Sequence, residues 1–298
     1  MSDDPQRLFS FVQFEFPREL GPADGRYVVR EGADTEASHV LVLRTVGAPE
    51  RRRLARRRPR AAEPEPEPEP VPTARATVIA AVAHEDETAA DGWLAGARRD
   101  PDDVLAEALR VLNRALHAHA VAGADPLSVE VRREHALVAR LGWGRGEQVA
   151  DGRWAEAVEV PFRPPKRRRA EALRPQERLA ALLGGRDRPL VAESLALRAR
   201  LDLDHGRERE AALQLRVALE AGIAELEDAA SADELAQRLA ELREQRDAVG
   251  AAANAALRGP LDAGAHEAVA HALGRLEAAL RARAMAALDA PSHRESSP

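Results

Sequence analysis

The sequence predicts an α+β domain followed by an all-α domain, and three observations carry that reading. Every aromatic residue (Phe9, Phe11, Phe14, Phe16, Tyr27, Trp93, Trp143, Trp154 and Phe162) lies before position 163, so only the front part can build an aromatic core. Short runs of β-type residues dominate that part, whereas Leu and Ala recur at spacings of three and four behind it. Two stretches fit neither pattern: an Arg-rich and then Glu-Pro linker at 49–73, and a basic linker at 163–174. The expected layout is an α+β domain from 1–48 and 74–162, a helical domain at 175–290, and a tail at 291–298.

Composition narrows the function classes. A chain of 298 residues is long enough for two ordinary domains. A net charge of −6 gives the whole molecule no electrostatic case for nucleic acid. The absence of cysteine removes disulfides, thiolate catalysis and cysteine-ligated zinc together. The opening MSDDPQRLFSF carries acids where a signal peptide needs a basic segment. Uncharged runs such as Ala76 to Ala83 are far below the roughly 20 residues that span a bilayer. A cytoplasmic protein without a membrane partner is expected. Lys166 is the only lysine, which suggests a source genome rich in G and C and weakens Arg runs as functional evidence.

From the start, Leu8 to Phe16 is a strand rich in Phe and Val, apolar on both sides where it begins. Pro17 ends it, Gly21, Pro22 and Gly25 turn the chain, and a short strand follows at Tyr27 to Arg30. Val40 to Val46 is continuous enough for a central strand. Repeated proline from Glu63 to Pro70 blocks helix and sheet ladders, so the first linker is expected to be extended, solvated and disordered. Three strands in 48 residues cannot bury both faces of a sheet, so they should pair with strands beyond that linker, which then interrupts one domain. Arg75 to Ala83 supplies a fourth strand. Asp100-Pro101-Asp102-Asp103 reads as a helix start with Asp as N-cap, and Leu105, Leu109, Leu112 and Leu116 give one long helix its buried face. Strand-like pieces follow at Leu127 to Val131, Ala136 to Leu141 and Trp154 to Phe162, for a mainly antiparallel sheet with the helix on one face.

The second domain reads as antiparallel helices packed through Leu/Ala seams. A short helix spans Gln176 to Leu183. A helical hairpin follows, with Leu190, Ser194, Leu197 and Leu201 on the face of its first helix and Ala212, Leu215, Leu219, Gly222 and Leu226 on that of its second. Asp204, His205 and Gly206 break it, since Gly adopts the left-handed conformation without steric cost. A third long helix opens with a capping box, Ser231 to Glu234, carries Leu235, Leu239, Leu242 and Val249, and stops at Gly259-Pro260. Asp262 caps the last, with Val269, Leu273, Leu276 and Leu280 buried.

Within the hairpin, Gly206, Ala211, Leu215, Ala218 and Leu219 stand at the offsets of the second helix of a tetratricopeptide repeat. The stretch 190–223 resembles one unit of that family. Its first helix departs from the pattern, with Arg198 and Asp202 where large apolar residues are usual, and Ile223 stands near the place of the closing proline. The resemblance covers about one unit, where stacking needs about three, and it implies a protein-binding surface.

Candidate chemistry is sparse. Gly142, Gly144 and Gly146 invite a phosphate-loop reading, but too few residues precede Asp151-Gly152 for the helix such a loop must open, so a turn or bulge is expected. If the first domain binds a small molecule, Trp143, Arg145, Asp151 and Trp154 are the residues for it. His117 and His119 lie about 200° apart on a helix and cannot share a metal there. No catalytic, metal or cofactor residue is assigned. Arg51, Arg52, Arg53, Arg56, Arg57 and Arg58, with Lys166, Arg167, Arg168 and Arg169, could hold phosphates through counterion release. No aromatic interleaves them for base stacking, so solvated linkers are expected. The leading expectation is a non-catalytic interaction protein binding a partner, or itself, through its helical domain. A nucleic-acid-associated factor using the arginine clusters is the second, and a small-molecule sensor or enzyme using 142–154 the third.

Overall fold

The computed structural model describes residues 7–30, 32, 34–47, 72–162, 174–227 and 233–289. The chain divides into two compact units, Met1–Pro164 and Pro165–Pro298. The first is α+β and the second is helical.

Six strands form one antiparallel sheet: β1 Leu8–Phe16, β2 Gly25–Arg30, β3 Ala37–Val46, β4 Thr73–Ala80, β5 Val138–Arg145 and β6 Glu156–Glu159. Their order is β2-β3-β4-β1-β5-β6. The Phe-rich β1 is apolar on both faces and lies inside the sheet, where it pairs with β4 and β5 from beyond the first linker. Strands β3 and β4 are neighbours whose register closes at Val46 and Thr73. The residues between them, 48–71, lie outside the described set and join two antiparallel partners.

One sheet face, carrying Leu8, Val12, Phe14, Phe16, Leu41 and Leu141, packs against two helices. These are α1, Glu87–Arg99, and α2, Asp102–Gly123. The opposite face, with Phe9, Phe11, Val40, Val42 and Ile79, is covered in part by Val149, Ala150 and Trp154, which stand on or after a short 3-10 turn, Gly146–Asp151.

Three sequence expectations for this unit need correction. The one expected long helix is present as α2, and a further helix, α1, precedes it. In α1, the Asp86 carboxylate accepts the Ala89 N–H at 2.8 Å, and Ala90, Leu94 and Ala97 form a buried stripe too short and too poor in Leu to stand out. Asp100 does not cap α2; it ends α1, its N–H bonding the Gly96 carbonyl, and Pro101 takes the N-cap place without a side-chain bond. Finally, Leu127 to Val131 is not a strand. The Asn113 side chain donates to the Val131 carbonyl at 2.9 Å and accepts its N–H at 2.8 Å, an amide replacing a ladder neighbour.

In the second unit α3 spans Pro175–Leu183, α4 Val191–Asp204, α5 Glu208–Glu227, α6 Asp233–Glu244, α7 Arg246–Ala256 and α8 Ala263–Asp289. Helices α4 and α5 form the hairpin, turning at Gly206 with φ of 72°. The Glu225 carboxylate of α5 reaches back to accept the N–H groups of Val191 and Ala192, capping α4 from its partner. The α5 seam is the expected one: Ala212, Leu215, Leu219, Gly222 and Leu226 are buried. A Cβ on Gly222 would lie 2.7 Å from the Leu276 side chain, so glycine sets how closely α5 approaches α8. The α4 seam is not. Ala192, Ala196 and Ala199 face the core, while Ser194 and Leu197 are exposed.

The third long helix is broken at Gln245 into α6 and α7, although Leu235, Leu239, Leu242 and Val249 are buried as expected. Ser231 of its capping box lies outside the described residues. At α8, Asp262 accepts the Ala265 N–H at 2.7 Å, and Val269, Leu273, Leu276 and Leu280 are buried. Among the described residues no helix is long and apolar enough to cross a membrane.

Candidate functional site

Strand alternation decides the fate of the 142–154 segment. Trp143 and Arg145 point to the helix-bearing face of the sheet. The Trp143 Nε1–H donates to Asp91 of α1 at 2.9 Å, and Arg145 stands 3.7 Å from Glu87. After the 3-10 turn the chain is on the other face. There Trp154 stacks on Phe11 with ring centroids 5.7 Å apart, and Asp151 faces Arg44 at 3.9 Å and Arg153 at 3.6 Å. The four residues thus fall two and two on opposite sides of the sheet and do not line one site.

The glycines explain why the turn sits so close. A Cβ on Gly142 would meet the Glu156 carbonyl at 2.4 Å and the Phe11 ring at 2.8 Å; one on Gly144 would meet Val149 at 2.7 Å. Gly146 at φ 56° then starts the turn.

Two features of the first unit have no local sequence signal. On the helix-bearing side a cleft of about 330 Å³ opens between the sheet and the α1–α2 pair. Its floor includes Ser10, Val78 and Ala80, Trp93 is one wall, and His39, Asp103 and Glu107 supply its polar lining. Such a slot suits a small apolar group with a polar end. Ser10 and His39 share it because His39 pairs with Ala80 and Ser10 adjoins Phe11, which pairs with Ile79, across β4, a register no single-strand pattern reveals.

On the opposite face Gln13, fully buried, donates to Thr77 Oγ1 at 2.9 Å. Beside it Glu15 receives Arg75 at 2.9 Å and Arg140 at 3.0 Å. Burial pushes the Glu15 pKa up, but hydrogen bonds from Arg140 and Arg75, with their charges, outweigh it and hold the carboxyl below the usual glutamate range.

In the helical unit the surface of interest is the outward side of α4. Leu197 is 73% exposed and Val191 60% exposed, with Leu201 half-buried one turn on. Leu197 and Leu201 lie about 150° round the helix from the Ala192, Ala196 and Ala199 seam. The base of the hairpin is held by ions: Asp187 accepts from Arg283 at 2.7 Å, and Arg178 lies between Asp187 and Glu193. Burial raises the Asp187 pKa, and the Arg283 hydrogen bond, the Arg188 N–H and the charges of Arg283 and Arg178 more than reverse it.

The arginine cluster Arg51, Arg52, Arg53, Arg56, Arg57 and Arg58, and the cluster Lys166, Arg167, Arg168 and Arg169, lie outside the described residues. Among the described residues no group of three or more His, Asp or Glu could hold a metal ion. Comparison with protein-family models, curated proteins and solved structures finds no match to this chain.

Proposed function

We propose that the protein is a non-catalytic interaction protein whose helical unit docks a protein partner on the outward face of α4. One observation carries the reading: Leu197, 73% exposed, and Leu201, one turn on, lie on one face of α4 that is turned away from the buried alanine seam, with exposed Val191 at the start of the same helix. A single exposed Leu needs no explanation, whereas a stripe along one face does. From Val191 to Leu201 this surface is about 15 Å long, at 1.5 Å per residue. That is too narrow for a symmetric dimer, which needs on the order of 1,600 Å², and suits one amphipathic helix of a partner. The resemblance of 190–223 to a tetratricopeptide hairpin supports the same reading. A cytoplasmic location goes with it, in keeping with the cysteine-free, charge-rich composition.

The test uses the full chain as bait in native extract beside the Leu197→Glu, Leu201→Glu double variant. A partner held by the parent chain and released by the double variant supports the proposal. Retention by the double variant sinks it, as does a parent chain that only pairs with itself through this stripe.

A further inference from the structure

Position 10 interrupts the inward row of β1. Leu8, Val12, Phe14 and Phe16 alternate onto the helix-bearing face and pack there, and Ser10 takes the same face among them. Ser10 is 6% exposed, and its hydroxyl hydrogen-bonds no described residue. A buried hydroxyl without a protein partner favours any hydrogen-bonding group that reaches it. What it faces is the cleft of about 330 Å³, lined by Trp93 of α1 and by Val104 and Ala108 of α2. The charged lining is acidic. Asp103 and Glu107 stand one turn apart on the same face of α2, and no Lys or Arg is among the described lining residues. Glu107 also meets Arg110 along the helix in a solvent-exposed, weak pair, whereas Asp103 has no side-chain partner among the described residues. Residues 1–6 and 31, which join the sheet at this end and lie outside the described set, include acids but no Lys or Arg. The positive end of α2, about half a charge, is outweighed by Asp102, Asp103 and Glu107.

We propose that this cleft binds a small organic amine, a single ring on a short arm that ends in an ammonium. The ring lies against Trp93 and the valines Val12, Val78 and Val104. The ammonium carries three donors, which serve the Ser10 oxygen and the Asp103 carboxylate. The volume is at the small end of ligand sites, about 300–1,000 Å³, and limits the occupant to one ring. A carboxylate of the same size is repelled by Asp103 and Glu107, and an alcohol of the same size gains the Ser10 hydrogen bond without the charge.

The experiment is isothermal titration calorimetry on the full chain with three ligands that share a phenyl ring and a two-carbon arm: phenethylamine, phenethyl alcohol and hydrocinnamate. The amine should bind saturably, the alcohol about tenfold more weakly, and the carboxylate more weakly still. Asp103→Asn, at an exposed position, should bring the amine down to the affinity of the alcohol and leave the alcohol unchanged. Ser10→Ala removes only the hydroxyl and should weaken amine and alcohol alike, severalfold, with helix content unchanged by circular dichroism. Leu197→Glu should leave amine binding as it was, which separates this site from the α4 surface. No saturable binding of the amine, equal affinity for the three ligands, or Asp103→Asn and Ser10→Ala variants that bind the amine like the parent overturns the proposal.

Discussion

Glu15 shows how single residues on the outer sheet face act on stability. Its carboxylate sits between Arg75 and Arg140, and its pKa is lowered in the folded chain. A lowered folded pKa contributes stability that is complete above the unfolded value of about 4.3 and is lost as pH falls through the folded one. Glu15→Gln should therefore cost about 2 kcal/mol at neutral pH, the scale of hydrogen bonds to a charged group, because two half-buried arginines are left facing a neutral amide. Urea unfolding followed across the acid limb checks it: the parent loses stability below about pH 4.5 more steeply than the variant. A variant equal to the parent at neutral pH would refute the assignment. The sequence marks Glu15 only as a polar residue inside an aromatic strand; that Arg75 and Arg140 flank it follows from a register spanning both sides of the linker. Trp143 and Trp154 are misleading for a related reason. They are eleven positions apart and look like one cluster, but strand parity and the turn at Gly146 send them to opposite faces.

At the level of elements, what was legible depended on contrast between faces. Strand β1 and the last helix carry large apolar residues on positions that have no competing face, and both lie where their patterns put them. Helix α4 has two stripes, one of leucine and one of alanine, and hydrophobicity alone ranks leucine first. Packing ranks them the other way. With Ala192, Ala196 and Ala199 inward, α4 can lie close along α5, a separation that leucines at those positions would not permit. The two stripes should respond to substitution unequally. Ala199→Leu should destabilise the helical unit by about 1–3 kcal/mol through overpacking of a fully buried position. Leu197→Glu should shift stability by no more than about 0.5 kcal/mol. Denaturant midpoints followed by far-UV ellipticity read both. The reverse ranking would place leucine in the core and remove the surface on which partner binding is proposed. Helix α1 lacks that contrast: its buried stripe is two alanines and one leucine, with Gly92 and Gly96 between.

Across the whole molecule, the two units draw on separate cores. The buried clusters of the sheet unit are built from residues between Leu8 and Ala150, and that of the helical unit from residues between Ala192 and Leu280. Each unit is above the size at which a single core supports folding. The front core is aromatic and stitched by strand pairings distant in sequence; the rear core is Leu and Ala, closed by neighbouring helices. These differences give the two units different enthalpies and different sensitivities to temperature, so they should unfold in separate steps. The composition supplies the probes. All three tryptophans are in the sheet unit, so their fluorescence follows that unit alone, while far-UV ellipticity weights the helical one. In thermal or urea unfolding of the full chain the two signals should have different midpoints, and each should match that of the corresponding fragment, 1–164 or 165–298, expressed by itself. Coincident midpoints in the full chain, together with a fragment that fails to fold, would mean the two cores form one cooperative unit.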